Sequence, residues 1–213
     1  VILVLYKYLD PLLQACGLQA LELPFPLGIS FYTFSALSYL ADVYSRRCKA
    51  QDSFLKLALY LAFFPKVAQG PIVQYHQLEQ ELSDRTVTFQ DRGTGTLKFA
   101  KGLAKKVILA DGLEKVFFAL QGNTTLTGTW LLSLAYTFQL YFDFSGYSDM
   151  AIGMGRWFGF HIPENFNHPY RSVSVRDFWR RWHIALSSWF RDYVYIPLGG
   201  SREGRNILVR NLL

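Results

Sequence analysis

Apolar residues in this chain gather in long runs, separated by short stretches that are basic or rich in Pro and Gly. Residues 1–9 read as the tail of a span closed by Asp10-Pro11. Residues 24–43 match the ~20 residues of a bilayer-crossing helix. Their hydroxyl-bearing positions, Tyr32, Thr33, Ser35, Ser38 and Tyr39, place that helix within a bundle. The following loop, SRRCKAQD, carries Arg46, Arg47 and Lys49, so the positive-inside rule assigns it to the cytoplasmic side. Residues 53–73 form the next run, interrupted by Pro65-Lys66 and Gly70-Pro71. Breakers at that depth predict a broken or re-entrant segment. Residues 74–95 are polar and mixed in charge, and read as a loop or surface helix.

Residues 96–121 have a helical period with two faces. Leu97, Ala100, Leu103, Ala104, Val107 and Ile108 line one side, and Lys98, Lys101, Lys105 and Lys106 the other. This predicts an interfacial helix over anionic lipid, with a short span and snorkelling lysines as the alternative. After a turn at 122–128, residues 129–160 form a long aromatic run whose Gly146, Gly153 and Gly155 suit close helix contact. It also holds Asp143 and Asp149. An acid there is expected to face a partner or a wet cavity, an Arg from the C-terminal segment being one candidate partner. Residues 161–176, rich in Pro and Asn, read as a loop. Residues 177–200 read as one helix. Trp179, Trp182, Leu186, Trp189, Tyr193 and Ile196 fall on one face; Arg176, Arg180, His183, Ser187, Arg191 and Val194 fall on the neighbouring face.

Composition supports a polytopic membrane protein over a soluble α/β domain. Apolar residues make up 51% of the chain and charged residues 18%, with a mean hydropathy of +0.12. The net charge is +6. Every Lys lies at or before Lys115, and from Arg171 onward eight arginines face three acids, Asp177, Asp192 and Glu203. Arg without Lys points to ion pairs and stacking in partly buried places. The flanking segments are too apolar for a nucleic-acid-binding domain, so no nucleic acid is expected as a partner. Cys16 and Cys48 have neither CxxC nor His at ligand spacing, and no metal site is expected. No P-loop, GxGxxG, HExxH or GxSxG string occurs. The chain opens at Val1 without an initiator Met and closes in the apolar NILVRNLL. It is therefore expected to be one partial domain, residues 1–213, truncated at both ends.

The candidate chemistry centres on His183, which shares its helix face with Arg180, Ser187 and Arg191. A neutral imidazole takes a proton from a hydroxyl and returns it. Neighbouring Arg would keep the imidazole neutral and could hold an anionic group. Trp179, Asp143 and Asp149 complete the set expected to line a substrate site or tunnel. The bland alternative is a packing histidine beside Trp.

The string DFWRRWHIALSSWFRDYVYIPLGG at residues 177–200 resembles the signature of the membrane-bound O-acyltransferase family. YFDFSGYSDMAIGMG, NFNHPYRSVSVRDFW, GLAKKVILAD and PLGISFYTFSALSYLADVY resemble the same family, in its bacterial polysaccharide-acetylating branch. The resemblance implies an all-α, many-helix bundle in the bacterial inner membrane, with re-entrant or interfacial helices. It implies transfer of an acyl group, acetyl above all, to hydroxyls of an extracellular or periplasmic polysaccharide such as alginate. The donor it implies is acetyl-CoA or another acyl thioester, with no bound cofactor. The partners it implies are membrane lipids, the polysaccharide and periplasmic acetylation proteins. Of two family histidines, the first maps to His183; the second sits in a Trp-His-Gly context that this chain does not contain, so the chain alone is expected to be inactive. D-alanyl transfer to teichoic acid within the family, and a transporter or lipid-binding protein outside it, are the alternatives.

Overall fold

The computed structural model describes residues 2–21, 24 and 26–200. Arg202, Glu203, Arg205, Arg210 and the closing apolar run lie outside the described residues, as do Val1 and Phe25. Every regular element among the described residues is a helix, as expected for an all-α chain.

Helix α1 spans Ile2–Ala15. It does not stop at Asp10-Pro11 as the pattern suggested. Pro11 removes one N–H from the ladder, but the turn beyond it closes normally, with Cys16 N–H bonded to Leu12 and Leu13. The Asp10 carboxylate accepts instead from Leu21 N–H at 2.9 Å. Helix α2 spans Ile29–Tyr44, starting after Gly28 in the left-handed region (φ 73°). Its 16 residues fall short of the expected span. The expected break in residues 53–73 is present: α3 (Phe54–Ala62) ends at Phe63, α4 (Phe64–Val67) holds Pro65-Lys66, and an extended return follows. Tyr60 ties the return by donating its hydroxyl to Val73 O at 2.8 Å. Residues 74–95 are more structured than their polarity suggested. Helix α5 (Tyr75–Ser83) buries Tyr75, Leu78 and Leu82. These join Tyr39, Tyr60, Phe63, Ile152 and Phe160 in the main apolar core.

Helix α6 (Phe89–Ala104) opens on a capping box, in which Thr88 accepts from Asp91 N–H and Asp91 accepts from Thr88 N–H. It continues through a π-helical segment, Lys105–Ala110, into α7 (Asp111–Leu120). This rod lies along α8 (Leu126–Trp157), a 32-residue helix that confirms the long apolar run. Glycines set the closeness. A Cβ on Gly146 would sit 2.8 Å from Gly102 O, and one on Gly95 2.8 Å from Gly153 O.

Three of the four lysines expected to meet lipid headgroups are instead engaged on acids of the protein, while Lys101 stays exposed. Lys98 and Lys105 turn inward and converge on Asp149, with Lys98 Nζ 2.9 Å from Oδ1 and Lys105 Nζ on Oδ2. Lys106 bridges Asp143 at 2.8 Å and Asp111 at 2.7 Å. Leu97, Val107 and Ile108 face outward, 56%, 56% and 69% exposed. The helical period separates two faces but does not say which one is inside. Asp149 and Asp143 are thus paired, as expected of acids in such a helix, but with lysines of the rod and not with Arg of the C-terminal segment. Among the described residues, no helix is long and apolar enough to cross a membrane.

The expected single helix over 177–200 is broken. Helix α9 (Val175–Arg181) and helix α10 (Ile184–Phe190) meet at Trp182–His183, and a π-helical turn, Arg191–Tyr195, follows. The cause lies in the preceding loop, which contains one 3₁₀ turn, Pro169–Arg171. Asn167 N–H caps the end of α9 by donating to Arg181 O at 2.9 Å, and Asn165 O accepts Ile184 N–H, also at 2.9 Å, at the start of α10. Helix α10 docks on α2 through buried Trp189, whose Nε1 donates to Phe34 O at 3.0 Å, and Tyr193 donates to buried Asp42 at 2.8 Å.

Candidate functional site

His183 occupies the break itself. Its backbone is left-handed (φ 45°, ψ 54°), a conformation that costs a non-glycine residue about 1–2 kcal/mol. Asn165, fully buried, holds it there. The Asn165 Oδ1 atom accepts Ala185 N–H at 3.2 Å and faces His183 Nδ1 at 3.1 Å; Nδ2 donates to Ser148 Oγ on α8 at 3.1 Å. A backbone N–H can only donate, so the atom it meets is the amide oxygen. That oxygen can only accept, so His183 Nδ1 carries the hydrogen. In the neutral ring Nε2 is then the nitrogen with the free lone pair. Phe144 packs edge-on to the imidazole at 4.8 Å. Burial lowers the His183 pKa to about 4, so the ring is neutral across the physiological range. The expected neutrality holds, but its cause is desolvation and not a neighbouring Arg.

The break disperses the expected face. Arg180 is exposed on α9. Arg191 is exposed and pairs with its neighbour Asp192 at 2.7 Å. Trp179 is 54% exposed and packs edge-on to Phe178. Ser187 stays near the break: its N–H donates to His183 O at 3.1 Å, and its hydroxyl reaches Trp182 O at 3.5 Å. Asp149, the residue after Ser148 in α8, is held by Lys98 and Lys105, whereas Asp143 stays with Lys106. Two of the other histidines are engaged elsewhere, and His168 is exposed in the loop before α9. His76 faces Asp42 at 3.2 Å. His161 sits between Glu81 at 2.7 Å and Asp91 at 3.3 Å, and the hydrogen bond to Glu81 raises its pKa. Asn165 and Ser148 were missed in the sequence. Nothing in a loop rich in Asn and Pro singles out one amide, and the only local hint is that Asn165 opens one of the family-like strings.

At this break a neutral imidazole is held through Nδ1 by a buried amide, which leaves Nε2 able to accept a hydrogen bond from a hydroxyl. The model of the membrane-bound O-acyltransferase family matches residues 34–213, and the chain belongs to that family. It is 45% identical, over 98% of its length and 43% of the relative's, to a protein of Pseudomonas fluorescens named "Probable alginate O-acetylase AlgI". It is 37% identical to the peptidoglycan O-acetyltransferase of Helicobacter pylori, over 98% of this chain and 46% of that one. Identity to the teichoic acid D-alanyltransferase of Bacillus subtilis is 34%, over 80% of this chain and 45% of that one. The chain thus spans less than half the length of each of these relatives.

Proposed function

We propose that this chain is part of a multi-pass bacterial inner-membrane enzyme. It moves an acyl group, acetyl in the first instance, from a thioester such as acetyl-CoA onto a hydroxyl of a cell-surface polysaccharide. The observation that carries the reading is His183, a half-buried neutral imidazole whose Nδ1 is engaged by Asn165. In the transfer the hydroxyl oxygen attacks the thioester carbonyl. The C–O ester bond forms, the C–S bond breaks, and the hydroxyl proton ends on the departing thiolate. His183 Nε2 accepts the hydroxyl hydrogen bond and aims the oxygen, and the second histidine implied by the family, outside this chain, carries the proton.

Supporting the membrane setting, the rod engages Lys98, Lys105 and Lys106 on aspartates and turns Leu97, Val107 and Ile108 outward. Supporting an acetyl group over D-alanine, identity is 45% to the alginate O-acetylase and 34% to the D-alanyltransferase. Family membership leaves the transporter reading without support. The partners in this reading are membrane lipids, the polysaccharide acceptor and periplasmic acetylation proteins.

The test uses the full-length protein and measures acetyl transfer to polysaccharide. His183→Ala should lower transfer by about 10²-fold or more at normal protein level. His183→Gln, which hydrogen-bonds but does not titrate in this range, should recover part of it if His183 aims the hydroxyl. Near-wild-type transfer by His183→Ala would sink the assignment.

A further inference from the structure

A second feature lies directly behind His183. A cavity of about 490 Å³ opens between the rod, α8 and the loop before α9, within the roughly 300–1,000 Å³ range of small-molecule sites. Each member of the hydrogen-bonded chain Ser148–Asn165–His183 has its next residue in the cavity wall: Asp149, Phe166 and Ile184. The cavity is therefore built on the same three backbone points as the site.

Its lining names a ligand class. One wall is aromatic, with Tyr141 and Phe166 meeting edge to face at 5.8 Å. Another part of the lining is ionic. Lys98 bridges Asp149 at 2.9 Å and Glu164 at 2.7 Å, and Lys105 also binds Asp149. Two ammonium groups thus meet two carboxylates, and no uncompensated charge remains to capture a phosphate or diphosphate. What the wall does present is carboxylate lone pairs and ammonium hydrogens side by side, with exposed Asn167 and His168 at the rim. Mixed donors and acceptors in one cavity with aromatic rings suit a pyranose ring: vicinal hydroxyls both donate and accept, and the C–H face packs on an aromatic ring.

We propose that this cavity binds the pyranose units flanking the one that is acylated, as a subsite for the acceptor chain and not for the acyl donor. The proposal rests on the acyltransferase reading above. Glu164 is the outer, half-exposed partner of Lys98 and sets the charge preference of the subsite. While it is present the wall is neutral, so a carboxylate on the sugar is tolerated but not required.

The experiment uses the full-length protein in nanodiscs, with mannotetraose and tetramannuronate as probes, read by saturation-transfer NMR and by acceptor and donor KM. The wild type should bind both sugars within about threefold of each other. Tyr141→Ala, which removes the stacking wall, should weaken both about tenfold and raise acceptor KM alike, with donor KM unchanged. Glu164→Gln alters an exposed side chain and so keeps the fold. It frees the Lys98 charge and should favour tetramannuronate over mannotetraose by about three- to fivefold. The proposal is overturned if neither sugar binds a preparation that transfers acetyl groups, if Glu164→Gln leaves the preference unchanged, or if the variants move donor KM instead. Sugar binding by a preparation that transfers no acyl group would sink the acyltransferase reading and leave the subsite standing.

Discussion

Replacing Asn165 by Asp tests the geometry of the site at its narrowest point. The side chains have the same shape, and each carboxylate oxygen accepts, so the bonds from Ala185 N–H and His183 Nδ1 survive. The Ser148 hydroxyl can rotate to donate where it accepted. What changes is a full negative charge about 3 Å from the imidazole. An opposite charge at that range favours the imidazolium by about 1–3 pK units. His183, at about 4 in the native site, should rise to between roughly 5 and 7. An imidazolium has no lone pair to receive a hydroxyl, so activity is lost below the new pKa. The sign is fixed: the acid limb of kcat/KM moves to higher pH. At pH 6 the variant should keep between about nine-tenths and a tenth of its alkaline rate, depending on where in that range the new pKa falls, whereas the wild type is on its plateau. Asn165→Leu is the control. It leaves two buried donors without partners and should cost about 2–6 kcal/mol in thermal unfolding. The assay is the pH profile of acetyl transfer by the full-length enzyme, with ¹⁵N NMR of His183 reporting protonation and tautomer. A folded Asn165→Asp enzyme whose acid limb and ¹⁵N signals stay in place would refute the role given to Asn165.

Other consequences are simpler to measure. Gly146→Ala sets a methyl against the Gly102 carbonyl, which as backbone cannot turn aside, and should lower stability by about 1–3 kcal/mol in a thermal scan. Asp149→Asn leaves Lys105 uncompensated and should cost about 3 kcal/mol, while joint replacement by Asp149→Leu and Lys105→Met should recover most of it; a single change as mild as the double would show that the pair is not coupled. In a Cys16→Ser background, Cys48 should resist an impermeant maleimide in intact cells and react after permeabilisation, and labelling of intact cells would reverse the proposed orientation.

How far the sequence speaks depends on how local the controlling contact is. The long helix α8, its small-residue contacts and the break after Ala62 were readable because a run of apolar residues, a Gly spacing or a Pro acts where it stands. The rod was readable as a helix but its facing was not, because Lys98 and Lys105 find Asp149 some 50 and 44 residues away in the chain, on another helix. The helix break at His183 was invisible for a related reason. Nothing in RRWHIALS opposes a helix; the competing hydrogen bonds come from Asn165 and Asn167. His183 itself stood out through its family-like string. The arginines expected beside it depended on a continuous helix, and they left its surroundings when that helix broke.

The inward lysines also impose an order on synthesis. In the membrane setting proposed above, Lys98 and Lys105 reach the bilayer before Asp149 exists, whereas Lys106 already has Asp111 within the rod. Each unpaired lysine at depth is disfavoured by roughly 3 kcal/mol on insertion scales. Lys105 waits 44 residues for its partner, about 2–9 s at ordinary rates of translation. On the proposed membrane reading, the rod should not settle in lipid by itself but should wait for α8 and enter with it as a hairpin. Nascent chains halted after α7 should come away from membranes in alkali, and those halted after α8 should remain. On that reading, the salt bridges that close the folded rod onto α8 would also act as a checkpoint during birth, keeping half a hairpin from being released alone.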